Sequence, residues 1–211
     1  MTKRSLLIVL RLFFGLLTLT AMSVQISRLV ERGAFRAVNF LSYFTNLSNL
    51  FAAVVFITGA TYLVTHRKQS VSDDVIRGAA ALYLAAVGIV YVTLLSGEDL
   101  GLLIPWVNVV LHYLMPLVVV FDWFSQPPRT RLVFRRTLPW LVFPLLYLVY
   151  VLIRGSLVGW YPYPFLNPAQ VGGYGGVTLY SLGICVAFAV IGGLLMTLGN
   201  KLRGAVEAAS T

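Results

Sequence analysis

The chain holds one cysteine, two histidines and seven acidic residues in 211 positions, and each scarcity closes off a class of chemistry. Cys185 has no second cysteine to pair with, so an internal disulfide is excluded and a structural metal cluster lacks its thiolates. It suits the role of a small apolar filler. His66 and His112 lie in different segments and no carboxylates cluster near either, so the ligand set of a zinc site is missing. A lone intramembrane histidine likewise gives haem only one axial ligand. There is no Gly-x-Ser-x-Gly elbow and no rhomboid-type motif, which sets aside the familiar serine hydrolases. No internal repeat is visible, which argues against a transporter built from duplicated halves.

Charge is also scarce. Charged residues make up 11% of the chain and hydrophobic residues 59%, whereas soluble domains run at about 25% charged and about 45–50% apolar. An integral membrane protein follows. Six windows, residues 5–27, 39–64, 76–95, 103–124, 137–153 and 173–198, are long enough to cross a hydrocarbon core, which takes about 20 mostly apolar residues per helix. They lack strict period-two alternation, so helices are expected rather than barrel strands. The prediction is an all-α membrane protein, a six-transmembrane-helix bundle forming a single integral membrane domain over residues 1–211 with no soluble domain. The amino-terminal Met-Thr-Lys-Arg and its apolar run resemble a signal peptide, but the run exceeds a signal h-region of about 7–15 residues and is read as the first span.

Lys and Arg are unevenly shared between the two sides. One side collects Lys3, Arg4, Arg67, Lys68, Arg77, Arg129, Arg131, Arg135, Arg136, Lys201 and Arg203; the other has Arg28, Arg32, Arg36 and Arg154. The bias predicts that both termini are cytoplasmic. The formal charge of +9 therefore reads as a topology signal and a set of anionic-headgroup contacts, with no nucleic-acid partner expected. Arg11, near the cytoplasmic end of the first span, is expected to snorkel to the interface. Pro127-Pro128 stops the fourth helix, because proline cannot continue the ladder. Outside, residues 155–176 alternate aromatics and prolines from Trp160 to Pro168, followed by four glycines. This segment is either an interfacial anchor or a lid over a cavity.

Within this apolar background His112 stands out, because an ionisable group at membrane depth is disfavoured unless it faces a protein interior or a wet cavity. The second span is unusually polar at its start. On a helical wheel Ser42, Thr45, Asn46 and Asn49 share one face, with Ser48 beside it. Such a stripe is either interhelical glue or part of a site. Thr45 and His112 lie roughly 8 and 12 Å below the outer entry points of their spans, so a hydroxyl and an imidazole meet if those helices are neighbours.

That pair is the minimum set for nucleophilic acyl transfer, with histidine taking the hydroxyl proton. Asn46 and Asn49 are candidate substrate-binding or oxyanion amides, and Asn108, one turn from His112, a candidate orienter of the ring. Asp122 is ten residues beyond His112, roughly 15 Å along the axis, and does not reach it. Glu98 and Asp99 are expected to be solvated loop charges. Tyr83, Tyr91, Tyr147 and Tyr150 are core or interface aromatics, with Tyr147 or Tyr150 in position to reach a cavity.

Three stretches together resemble a known family: Tyr43-Phe44-Thr45-Asn46-Leu47-Ser48-Asn49; Leu111-His112-Tyr113-Leu114-Met115-Pro116 running to Asp122-Trp123; and Tyr161-Pro162-Tyr163-Pro164-Phe165-Leu166. In these the chain looks like a bacterial branch of the androgen-induced family of multi-span membrane threonine hydrolases. The resemblance implies cleavage of fatty-acid esters of hydroxy fatty acids, with Thr45 as nucleophile and His112 as base. The Asn- and Ser-rich sequence after Thr45 differs from the animal members and bears on substrate identity. The expectation is an intramembrane ester hydrolase of the bacterial inner membrane, acting on a lipid-like substrate and requiring no metal or organic cofactor. The alternative is a non-enzymatic protein whose outward-facing polar cavity binds or transports a lipid or small solute.

Overall fold

In lipid no water is available to backbone N–H and C=O groups, so apolar runs of this length must satisfy them internally as helix. The computed structural model describes residues 2–98 and 101–208. Six of its helical segments are long and apolar enough to cross a membrane: Lys3–Glu31, Phe44–Val64, Val71–Leu95, Pro105–Ser125, Phe134–Val158 and Tyr174–Ala205. No strand occurs among the described residues. The chain is an all-helical integral membrane protein with six spanning helices. We number the helices α1 (Lys3–Glu31), α2 (Ala37–Leu41), α3 (Phe44–Val64), α4 (Val71–Val90), α5 (Pro105–Val109), α6 (Met115–Ser125), α7 (Phe134–Thr137), α8 (Pro139–Val158) and α9 (Tyr174–Ala208).

The expected second span, 39–64, is in fact two helices. The Ser42 hydroxyl turns back to the Val38 carbonyl at 2.7 Å and the Asn46 amide donates to the Phe40 carbonyl at 2.8 Å. These side chains compete with the helical ladder for the same acceptors. Tyr43 is extended, and α3 starts afresh at Phe44. Two spans also contain a π turn, Tyr91–Leu95 after α4 and Val110–Leu114 between α5 and α6. The second is followed by a bond from the Met115 N–H to the Val110 carbonyl, five residues back.

α4 is the central helix and packs against α3, α6 and α9. Its run Gly78-Ala79-Ala80-Ala81 lets neighbours approach closely, as small residues do in membranes. The Trp140 indole lies against Gly78, where a Cβ would overlap the ring, and its Nε1 donates to the Val75 carbonyl at 2.7 Å. α8 and α9 are peripheral: only 11% and 17% of their apolar windows are buried, so most of their surface faces outward.

On the side where α1 begins, four charges are buried together. Asp122 on α6 accepts from Arg11 Nε at 2.7 Å and Nη2 at 3.0 Å, and from Arg77 Nη2 at 3.2 Å. Arg77 also reaches the Gln126 carbonyl at 2.9 Å, and Asp74 accepts from the Arg129 N–H at 2.8 Å. Arg11 therefore does not snorkel: it is 1% exposed, and a carboxylate 111 residues away holds it inside. Arg77, counted above on the cytoplasmic side, is 6% exposed and belongs to the same network. Glu98 is exposed, as expected of a loop acid, and Asp99 lies outside the described residues.

Removing one partner of a buried ion pair costs about 3–5 kcal/mol, because the other charge is stranded. Asp122→Ala leaves Arg11 without a carboxylate and Arg77 with only Asp74, at 3.5 Å, and is expected to lower the thermal midpoint in detergent sharply, whereas Glu98→Ala leaves it unchanged. Equal midpoints for the two variants would contradict a structural role for the network.

Candidate functional site

Thr45 stands in the first turn of α3, where backbone N–H groups have no carbonyl of their own helix to bond. Its N–H donates to the phenol oxygen of Tyr163 at 3.2 Å, and its Oγ lies 3.4 Å from the same oxygen. Both residues are buried. Tyr163 comes from the connection between α8 and α9. Gly159, left-handed at φ 66°, ends α8, and Pro162 and Pro164 prevent helix from resuming. The chain then turns inward. Tyr163, Phe165 and Leu166 are buried, while the Tyr161 ring lies against Gly155 of α8 where a Cβ would not fit. Phe165 stacks on the Tyr163 ring at 5.1 Å and Tyr43 meets it edge-on at 5.8 Å, which fixes the phenol's position. Burial pushes the Tyr163 phenol above its ordinary value, with bonds to Thr45 pulling it partly back, so at neutral pH it keeps its proton.

Beneath this connection lies a cavity of about 140 Å³, and Tyr163, Phe165 and Leu166 form part of its lining. Of the two roles open to this segment on sequence, anchor or lid, its inward fold matches a cover. The walls are mostly apolar, with Val87, Leu148, Ile184 and Phe188 among them and Thr45 among the few polar groups. Leu145 lines the space and is also 51% exposed on the outward face of α8. An apolar cavity of roughly 150 Å³ holds benzene, so this one accommodates a short stretch of acyl chain.

His112 sits on the π turn of the fourth span and is buried. Such turns insert a residue into the helix and recur at functional sites. Its Nδ1–H donates to the Asn108 carbonyl at 3.3 Å, an assignment that follows from the acceptor and leaves the lone pair on Nε2. The ring stacks on Tyr91, the first residue of the other π turn, with centroids 4.2 Å apart. Tyr91 in turn accepts from Asn108 Nδ2 at 2.6 Å.

Asn49 ties the two groups together. Its Nδ2 donates to the Thr45 carbonyl at 2.9 Å and to the Leu111 carbonyl at 3.1 Å. The helices of Thr45 and His112 are therefore neighbours. No hydrogen bond joins the Thr45 hydroxyl to His112; the hydroxyl is with Tyr163 and the imidazole with Asn108.

The three asparagine amides all donate to groups of the bundle itself. Both N–H groups of Asn49 are taken by carbonyls, Asn46 is half-buried and closes α2, and Asn108 gives its amide to Tyr91. Asn108 does orient His112, but through its backbone carbonyl. The stripe is also rotated: Ser48 is fully buried on the Thr45–Asn49 face, while Ser42 belongs to the break and bonds the Tyr150 hydroxyl at 2.8 Å. Tyr147 lines the cavity and donates to the Ser42 carbonyl at 2.8 Å. Sequence reasoning missed Tyr163 and Tyr91 as site residues. The alternating Tyr-Pro motif marked the segment carrying Tyr163; nothing marked Tyr91.

Among the described residues no three His, Cys, Asp or Glu side chains converge. The chain matches no protein-family model, no curated protein and no solved structure.

Side-chain hydrogen bonds between membrane helices are worth about 0.6 kcal/mol on average and up to about 1.7. Asn49→Leu is expected to destabilise by that order, a smaller loss than Asp122→Ala, as measured by unfolding in mixed micelles.

Proposed function

We propose that the chain is an intramembrane hydrolase that cleaves an ester bond of a lipid-like substrate, a fatty-acid ester of a hydroxy fatty acid or a similar molecule. The observation that carries this reading is Thr45 among the few polar residues lining an apolar cavity whose wall includes Leu145, exposed on the outward face of α8. An acyl chain entering from the bilayer brings its ester carbonyl to the Thr45 hydroxyl. Thr45 Oγ attacks the carbonyl carbon and its proton passes to His112 Nε2 through an intervening water. Collapse of the tetrahedral intermediate breaks the ester C–O bond, and the departing alkoxide takes the proton from His112. Water then attacks the acyl-Thr45 by the same route and releases the acid. The Asn108 carbonyl supports the base role by holding Nδ1–H and keeping Nε2 as the acceptor. None of these steps requires a metal or organic cofactor.

The motif resemblance to the androgen-induced membrane threonine hydrolases assigns the same two residues. With both termini cytoplasmic in a bacterial inner membrane, the site lies in the outer half of the bundle and draws substrate from the outer leaflet. A second reading rests on the pairing of the Thr45 hydroxyl with Tyr163 rather than His112. In that reading the cavity binds or passes a lipid without cleaving it.

Mutation separates the two. Thr45→Ala is expected to abolish both ester hydrolysis and labelling by a fluorophosphonate probe, while Thr45→Ser retains part of each. His112→Ala is expected to slow turnover by about 10²–10⁴-fold, the usual contribution of a general base. Labelling that persists in Thr45→Ala, or is absent from the wild type, leaves the binding reading.

A further inference from the structure

We infer that Tyr163 is the oxyanion donor of this site, its O–H acting together with the N–H of Thr45 on the carbonyl oxygen of the bound ester. This rests on the hydrolase reading above. Acyl transfer places negative charge on an oxygen one bond away from the carbon that the nucleophile attacks. Stabilising donors must therefore sit close to the nucleophile and be fixed before the reaction begins.

The Thr45 N–H meets both conditions. It belongs to the first turn of α3, at the positive end of the helix dipole, and it already points at an oxygen atom. That oxygen is the Tyr163 phenol, which accepts from the N–H at 3.2 Å and lies 3.4 Å from the nucleophilic Oγ. A carbonyl oxygen bound beside Thr45 comes within reach of both groups, and the phenol then donates where it now accepts. Of the other donors near Thr45, Asn49 gives both N–H groups to carbonyls, Tyr147 its O–H to the Ser42 carbonyl and Asn46 one N–H to the Phe40 carbonyl, while the buried Ser48 hydroxyl and the Ser181 hydroxyl on the cavity wall are unpaired. Tyr163 is held by its stack on Phe165 and its edge contact with Tyr43, so donating requires no rearrangement of the ring.

The step balances without proton transfer from Tyr163. As the Oγ–C bond forms, the carbonyl π pair moves onto oxygen, where two hydrogen bonds hold it. The Thr45 proton goes to His112, and the pair returns as the ester C–O bond breaks. Tyr163 keeps its proton throughout.

The test uses the full chain in lipid vesicles with a short-chain p-nitrophenyl ester and its thionoester, in which sulfur replaces the carbonyl oxygen and accepts hydrogen bonds poorly. Tyr163→Phe is expected to lower kcat on the oxygen ester by about 10²–10³-fold, with KM little changed. It should also narrow the oxygen-over-sulfur preference of the wild type, a ratio that a merely structural role would not move. Unchanged kcat, or equal losses on both esters, would overturn the assignment. Wild-type protein that turns over both esters at equal rates would overturn it without any variant. Failure of the underlying reading is distinguishable: wild type that hydrolyses neither ester, or Thr45→Ala that still hydrolyses, removes the Thr45 mechanism and Tyr163's role with it.

Discussion

One carboxylate holds the bundle to its pattern. Asp122 receives two guanidiniums, from α1 and from α4, and all three side chains are buried. Taking such charges out of water is expensive, and only their mutual compensation makes burial tolerable. The requirement fixes which faces of α1, α4 and α6 meet. The small residues of α4 then complete the packing, with Trp140 against Gly78 and Pro116 against Gly88. Charge neutrality at one end of the bundle thus sets the frame that positions Thr45 and His112 toward the other.

The six spans were legible because hydrocarbon thickness sets their length, and hydropathy records it residue by residue. Their ends and interruptions were not. The break at Ser42 and Tyr43 comes from side-chain bonds to Val38 and Phe40, which have no hydropathic signature. Because α3 begins only at Phe44, its buried face includes Ser48 and leaves Asn46 at the edge. The π turns at Tyr91 and Val110 each insert one residue into an apolar run, a change invisible to composition. Arg11 and Arg77 looked like interface cations because their shared partner is remote in sequence.

The candidate site was partly legible for the same reason. A helix continuous from residue 39 sets Thr45 at a depth close to that of His112, but α3 begins at Phe44, so Thr45 stands in its first turn. Which hydroxyl or carbonyl each would face is a tertiary matter. Asn49 joins their helices, yet each side chain bonds a group from its own surroundings: a phenol from the connection after α8, and the carbonyl four residues back on its own helix. The Tyr-Pro motif announced a non-helical segment at the membrane surface, but its inward fold depends on apolar space that only the packed bundle provides.

The contact between Tyr161 and Gly155 links that segment to the helix it follows. The same helix carries Leu145 and Leu148, which wall the cavity, and Gly155 leaves room for the ring only because it has no side chain. Tyr161 is seated on α8 by this contact, and Tyr163 follows two residues later. Wall and cover therefore form one mechanical unit: the backbone that supplies part of the cavity lining also carries the ring that closes over it.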